Sequence, residues 1–309
     1  MNLSPPKVDM KAVVSLCWLG GLLWLSIMVA SARSMDDIVE SGYIKVALYR
    51  DFPPYSFVEN GKEKGIDVEL ARAFAHALDV ELRLLWMTAD ETVEDDMRNY
   101  LWKGLNLHTN DGTRVKADVM MRVPYDRKWQ LKRDDLGLPA HERVYMFAPY
   151  QTERWRVAFD ATKNTEIETV AMFQYVPIGV EIDTVPQVYL STAFGGRFRQ
   201  NTKTYTSLQQ AFNALNAGEV HAVMGLGGQV QWLKSQSGEP IKLSDTHFPT
   251  LGIPYWDIGV AVQADYRQLS YALEEVVIAA LSDGRMQAWC LAVAIDCPLP
   301  ELYQSQLTE

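Results

Sequence analysis

Apolar and polar positions are most clearly ordered between residues 44 and 86. Alternating apolar residues over 44–48 predict a strand, and Asn60-Gly61 predicts a hairpin turn. Apolar residues at helical spacing over 66–78 predict a helix, and the run Val80–Trp86 predicts a second strand. Strand, crossover helix and strand in this order build a parallel sheet. The loop after the first strand then lies at the strand's carboxyl end, where open α/β sheets bind ligands.

The rest of the chain continues this alternation of strands and helices, which predicts an α/β protein. The predicted elements are a helix over 88–104 capped by Thr88 or Asp90, strands over 117–121, 154–159 and 178–181, a helix from Thr184, a helix over 206–218, strands over 219–224 and 256–262, and closing helices over 265–289. We interpret 105–114 and 128–138 as polar, charged insertions.

Three consecutive motifs resemble the opening of the family 3 periplasmic solute-binding proteins, the receptors of polar amino-acid ABC transporters. They are Gly42-x-Ile44-x-Val46, Phe52-x-Pro54-Tyr55-x-Phe57 and Gly65-Ile66-Asp67-Val68-Glu69-Leu70. The resemblance extends over residues 36–290 and implies a type II fold. That fold has two lobes, each a mostly parallel sheet flanked by helices, joined by two hinge crossings. It implies a first lobe over 33–149 and 249–309 and a second lobe over 150–248.

The first 32 residues have the pattern of a secretory signal peptide. Lys7 and Lys11 precede an apolar run over 12–30, and Ala30-Ser31-Ala32 offers a cleavage site. The alternative is an uncleaved membrane anchor, because the run is almost long enough to span a bilayer. Cleavage predicts a periplasmic protein.

Charge and cysteine usage fit an exported protein. A net charge of −10 argues against nucleic acid and anionic lipid surfaces as partners, since both attract basic patches. Cys290 and Cys297 are the cysteines that remain after cleavage. In an oxidising compartment they form either a short-range disulfide or two buried thiols.

The resemblance implies a carboxylate-binding segment, Gly-x-Thr-x-Thr-x-x-Arg, after the strand over 117–121. This chain has Val123-Pro124-Tyr125-Asp126-Arg127 there, so the glycine and threonines are missing. Arg127 and Arg143 are alternative candidates for the arginine, because a guanidinium binds a carboxylate through two hydrogen bonds.

By position in the resemblance, the ligand also contacts Phe52, Tyr49, Tyr125, Thr184 and Leu226. Phe52 is expected to stack on the ligand. Leu226 stands where amino-acid receptors place the aspartate that pairs with the ligand's ammonium group. Because apolar and aromatic residues replace charged or hydroxyl contacts, we expect a ligand less zwitterionic than a free amino acid.

A cluster of acidic residues near the start of the helix over 88–104 has two interpretations. Its members are Asp90, Glu91, Glu94, Asp95 and Asp96. Carboxylates there stabilise the helix dipole, or they bind a divalent metal ion. The spacing lacks the alternating Asp/Asn/Gly loop of calcium sites, which favours the first interpretation. We expect no cofactor and no metal.

Three functions are compatible with these observations. The first is a monomeric receptor that binds a small molecule for a membrane ABC permease. The second is an accessory protein of a periplasmic quinoprotein dehydrogenase, because Met121-Arg122-Val123-Pro124 resembles the Met-Gly-Val-Pro of that group and the insertions suit docking. The third is an enzyme on this scaffold, such as a dehydratase. It is the weakest, because no Ser-His-Asp order, HExxH motif or paired-carboxylate spacing is present.

Overall fold

The computed structural model describes residues 33–105, 114–163, 166–238, 240–244, 246, 248, 251, 253 and 255–307. The predicted signal peptide and most of the 105–114 insertion lie outside these ranges. Within them, no helix combines the length and apolar character needed to cross a bilayer.

Helices and strands alternate along the chain. The helices are α1 (Met35–Ser41), α2 (Ile66–Ala77), α3 (Val93–Met97), α4 (Arg127–Gln130), α5 (Val185–Gly196), α6 (Leu208–Asn216), α7 (Gly227–Gln236), α8 (Arg267–Ser282), α9 (Arg285–Ala292) and α10 (Glu301–Leu307). The strands are β1 (Tyr43–Tyr49), β2 (Phe57–Glu59), β3 (Lys62–Lys64), β4 (Glu81–Met87), β5 (Val119–Pro124), β6 (Val144–Asp160), β7 (Ile178–Glu181), β8 (Thr202–Tyr205), β9 (Ala222–Leu226), β10 (Ile241–Leu243) and β11 (Tyr255–Gln263).

One sheet runs through the described chain in the order β4-β1-β5-β11-β6-β9-β7-β8, with β10 also paired to β6. At one end, β1 is parallel to β4 and β5. At the other end, β7 is parallel to β8 and β9. We call these two ends, with their helices, the first half and the second half. They are joined by β6 and β11, which pair antiparallel.

The 17-residue strand β6 belongs to both halves. Its residues 144–154 pair with β11, and residues 155–159 pair with β9 of the second half. The predicted strand over 154–159 is the second part of this longer strand, because Gln151 and Thr152 continue the ladder with Ile258 and Asp257.

Each half has its own apolar core. In the first half, Val46 and Leu48 of β1 pack with Phe74 of α2 and Leu273 of α8, all of them buried. In the second half, Ile178 of β7 and Met224 of β9 lie in a separate cluster. The apolar clusters of the two halves are thus distinct.

The predicted helix over 88–104 begins later than expected. Thr92 is the N-cap, and its hydroxyl accepts a hydrogen bond from the Asp95 N–H. Helix α3 continues into a π-helical turn over Arg98–Trp102. Thr88 and Asp90 therefore belong to the loop that precedes the helix, and the prediction of either as cap was wrong.

The cysteine pair forms a disulfide. Cys290 in α9 and Cys297 in the following segment have Cα atoms 6.1 Å apart. The bridge fastens the chain after α9 to the first-half core, where Cys290 and Ile295 are buried. Of the two alternatives, the structure confirms the disulfide.

Candidate functional site

A cavity of about 230 Å³ lies between the two halves. Phe52 enters it from the loop after β1, and Trp155 enters from β6. The second half supplies the remaining lining: Glu181, Thr184, Val185, Leu208, Met224, Gly225, Leu226, Gln229. We call this space the central cavity. It meets the ends of β7 and β9 and the starts of α5 and α7, as expected for a ligand site in an open α/β sheet.

The structure brings together three of the seven predicted contact residues at this cavity. Phe52, Thr184 and Leu226 all line it, although they come from widely separated positions in the chain. Thr184 is the N-cap residue of α5, and its hydroxyl donates to the Glu181 carbonyl at 2.7 Å. Leu226 ends β9 and is the N-cap residue of α7.

Tyr49 lines a second cavity, of about 430 Å³, that shares Phe52 with the central cavity. The Tyr49 hydroxyl donates to Asp96 Oδ2 at 2.7 Å. Burial, and then the negative charge of Asp96, raise the pKa of Tyr49, so the phenol stays protonated.

Tyr125, Arg127 and Arg143 are not among the residues that line either cavity. Tyr125 follows β5, and its side chain faces Gly259 of β11. Burial, and next the nearby Glu274, raise its pKa. Arg127 is exposed at the first position of α4, and Arg143 is exposed just before β6. The choice between these two arginines as the partner of a ligand carboxylate stays a prediction.

A different arginine lies beside the central cavity. Arg122 in β5 is buried, and its guanidinium stacks 3.5 Å from the centroid of the Tyr55 ring and 5.8 Å from that of Phe52. It donates to Gln151 Oε1 at 3.0 Å and to Asp67 Oδ1 at 3.4 Å, and its second terminal nitrogen is 3.7 Å from Glu153 Oε2.

Asp67 and Glu153 therefore neutralise Arg122 inside the protein. Burial alone would lower the pKa of Arg122, but Asp67 and the other nearby groups raise it, so the guanidinium stays charged. Burial raises the pKa of Asp67, although Arg122 and the Tyr150 hydroxyl oppose this. Because its charge is already compensated, Arg122 is not a free cation for a ligand carboxylate.

Glu153 connects this cluster to the second half. The Tyr55 hydroxyl donates to Glu153 Oε2, and the Gly228 N–H at the start of α7 donates to Glu153 Oε1 at 3.4 Å. One residue further along, Gln229 Nε2 donates to the Pro53 carbonyl at 3.3 Å. These hydrogen bonds thus hold the loop after β1, in the first half, against the start of α7, in the second half.

The loop after β1 is itself fixed by α2. The Tyr55 carbonyl accepts a hydrogen bond from the Asp67 N–H at 2.9 Å, in the first turn of that helix. Gly65 has φ +117°, and a Cβ there would fall on the Tyr55 carbonyl oxygen. A glycine is therefore required for this approach, which places Phe52 and Tyr55 at the cavity.

The wall of the central cavity carries one acidic group, Glu181, at the end of β7. Burial raises its pKa, and the backbone N–H of Leu208 opposes that shift. Within the described part of the chain, no cationic side chain lies within ion-pair distance of Glu181. The described residues also contain no group of three or more His, Cys, Asp or Glu side chains that could hold a metal ion.

Sequence reasoning missed Trp155, Glu181 and Arg122. Arg122 had a detectable signal, because it is a charged residue inside the apolar run 117–124. A charge in a buried strand needs a buried partner, so it indicates a buried ion pair. Trp155 and Glu181 had no comparable signal, because aromatic and acidic residues are common at strand ends.

Comparison with known proteins supports the fold and the first motifs. Residues 44–99 match the model of the bacterial extracellular solute-binding proteins, family 3. This segment contains β1, the Phe52–Ser56 loop and α2, so the resemblance stated from the sequence is confirmed there. No curated protein matches the sequence.

Solved structures are similar over most of the chain. An ancestral cationic amino acid solute-binding protein has a TM-score of 0.62 at 17% identity, covering 84% of this chain and 99% of that one. A substrate-binding protein of an amino acid ABC transporter from Streptococcus pneumoniae, bound to L-arginine, has a TM-score of 0.60 at 17% identity, covering 85% and 98%. A histidine kinase sensor domain similar to periplasmic binding proteins has a TM-score of 0.56 at 16% identity, covering 84% and 98%.

Proposed function

We propose that this protein, which has the type II periplasmic-binding-protein fold and the opening segment of the family 3 solute-binding proteins, is an extracytoplasmic solute receptor. A small molecule binds in the central cavity and contacts both halves. The observation that carries this proposal is the composition of the cavity wall. Phe52 belongs to the first half, whereas Glu181, Thr184 and Leu226 belong to the second.

Contact with both halves makes ligand binding favour the closed arrangement, because a ligand shifts an equilibrium by its differential affinity for the two states. The hydrogen bond from Gln229 to Pro53 and the one from Gly228 to Glu153 join the same two surfaces. In this proposal the first half comprises residues 33–149 and 249–309, and the second half comprises 150–248.

The ligand we propose is not a standard polar amino acid. Leu226 offers no charge for an ammonium group, and Arg122 is neutralised by Asp67 and Glu153. Phe52, Trp155, Val185, Leu208 and Met224 make the rest of the wall largely apolar. A solute with apolar surface therefore gains the most from entering the cavity.

In this proposal the mature protein lies in the periplasm after cleavage before Arg33, and its partner is a membrane ABC permease that recognises the closed form. The relatives named above include an amino acid ABC transporter protein, which supports this partner. Family 3 proteins are described as extracellular, which supports the location.

The test is to identify small molecules retained by the purified mature protein by mass spectrometry and to add them back in a thermal-shift assay. A true ligand raises the melting temperature with concentration, by mass action. Retained solutes that shift the melting temperature support the receptor. A protein with no retained solute and no response to a broad solute panel contradicts it.

One observation favours a second candidate, an accessory protein of a periplasmic quinoprotein dehydrogenase. The segment after α4 exposes three leucines, with 67% of Leu131, 83% of Leu136 and 56% of Leu138 accessible. Exposed apolar residues close together in a polar insertion are typical of a docking surface. Co-purification of a dehydrogenase that is lost when the three leucines are replaced by serine would favour this function.

An enzymatic function has weaker support. The similar structures are mainly of binding proteins. One of them is of an ancestral amino acid-binding protein that is a precursor of cyclohexadienyl dehydratase. Turnover of a solute that binds in the central cavity would be the observation in its favour.

A further inference from the structure

The charge distribution around the central cavity limits the class of solute that it accepts. This inference rests on the proposed receptor function and makes its ligand more specific. The lining contains one ionisable side chain, Glu181, and no lysine, arginine or histidine. The cavity therefore offers an anion and no cation to a bound molecule.

Glu181 is held where a ligand can reach it. It ends β7, and its carbonyl accepts from Thr184 at the start of α5, so the turn that carries it is fixed. The side chain is partly buried and lacks a cationic partner among the described residues. An uncompensated carboxylate in a partly closed cavity loses hydration. A bound cation would compensate its negative charge.

Two aromatic rings complete a cation-binding environment. The Trp155 ring packs 5.1 Å from that of Trp256, and the Phe52 ring packs 5.2 Å from that of Tyr55. These neighbours fix both rings before any ligand enters. Tryptophan and phenylalanine faces attract cations through their quadrupole, by about 0.5–2 kcal/mol depending on desolvation.

The surroundings disfavour anions further. The second cavity, which shares Phe52 with the central cavity, is lined by Asp51, Asp90, Glu91 and Asp96, with Arg50 as its one cationic residue. A predominantly negative field in this neighbouring cavity raises the local concentration of cations and lowers that of carboxylates. A carboxylate in the central cavity would also meet Glu181 at close range.

We propose that the central cavity binds a small organic cation without a carboxylate, with Glu181 as the counter-ion and Trp155 and Phe52 as apolar, cation-attracting walls. Ammonium and amidinium compounds carrying an apolar group belong to this class. A zwitterionic amino acid does not, because its carboxylate finds no free cation.

The experiment uses matched pairs of probes in isothermal titration calorimetry. Benzylammonium is compared with benzyl alcohol, choline with 3,3-dimethyl-1-butanol, and agmatine with L-arginine. We expect at least one cation to bind tenfold or more tightly than its partner, and L-arginine to bind more weakly than agmatine. Neutral partners or L-arginine binding as tightly as the cations would overturn the proposal, and so would the failure of all three cations to bind.

Variants assign the effect to Glu181. Glu181→Gln should weaken binding of the preferred cation tenfold or more and leave binding of its neutral partner unchanged. Glu219→Gln, at an exposed glutamate of the second half, is the matched control and should behave as wild type. Unchanged cation affinity in Glu181→Gln would overturn the assignment.

Two outcomes distinguish this inference from the receptor function on which it rests. If neutral solutes bind and cations do not, this inference fails while the receptor function stands. If no solute of a broad panel binds, the receptor function itself fails.

Discussion

The guanidinium of Arg122 lies 3.5 Å from the centroid of the Tyr55 ring, in the protein interior and beside the central cavity. Asp67 and Glu153 compensate its charge, and Glu153 is also bonded to the start of α7. The position is therefore a structural junction between the two halves of the molecule.

Replacing Arg122 by methionine should destabilise the protein strongly. The variant leaves Asp67 and Glu153 buried without their cation, and breaking a buried ion pair from one side costs about 3–5 kcal/mol. Urea denaturation measures the change in the free energy of unfolding. Arg72→Met removes an exposed ion pair with Glu69 and should cost under about 1 kcal/mol. Equal losses in the two variants would contradict the compensated cluster.

Replacing Gly228 by alanine should loosen the contact between the halves. A Cβ at this position would fall on the Tyr55 hydroxyl oxygen, so α7 must move away from the loop after β1. We expect a loss of about 1–3 kcal/mol in the free energy of unfolding. Gly238→Ala is the matched control, because its Cβ meets nothing within 4 Å. A wild-type urea midpoint for Gly228→Ala would show that Tyr55 and α7 are not in contact.

Removing the disulfide should cost less than disrupting the Arg122 cluster. The bridge joins residues separated by 7 positions, and closing so short a loop stabilises by roughly 2–3 kcal/mol in the chain-entropy model. The double variant Cys290→Ser with Cys297→Ser tests this by urea denaturation. Because neither cysteine is among the residues that line the central cavity, solute affinity should be retained. Loss of solute binding at full stability would contradict a purely structural role.

Cation binding should weaken at acidic pH. Burial raises the pKa of Glu181 above its ordinary value of 4.5, and the opposing Leu208 N–H does not reverse the shift. Above the raised pKa the carboxylate is ionised and pairs with the cation; as the pH falls through that pKa, the charge and the affinity are lost. Calorimetry across a pH series should place the midpoint above 4.5. The profile should be flat for Glu181→Gln, and a wild-type profile without a midpoint above that value would exclude Glu181 as counter-ion.

Sequence reasoning succeeded where structure depends on neighbouring residues. The hairpin at Asn60-Gly61 and the helix over 66–78 follow from local chemistry, and the structure confirms them as the turn between β2 and β3 and as α2. Phe52, Thr184 and Leu226 were named from their positions in the family resemblance; all three line the central cavity, and their contact with a ligand stays a prediction.

It failed where distant residues decide the outcome. Arg122 is tolerated in β5 because Asp67 and Glu153, far away in sequence, reach its guanidinium. Arg122 also has φ +59°, and the β11–β5 register shifts between Gly259 and Val260. Such an irregularity changes which side chains face each side of the sheet, so the side on which Tyr125 emerges does not follow from counting along the strand.

The most direct measurement of solute binding between the halves is a comparison of the wild type with Leu226→Trp, which fills the central cavity from the end of β9. Both proteins are screened against one solute panel by thermal shift, and the melting temperature without solute shows whether the variant folds. We predict that solutes raising the melting temperature of the wild type have no effect on a folded Leu226→Trp variant. The same solutes shifting both proteins equally would place the binding site elsewhere and contradict the account.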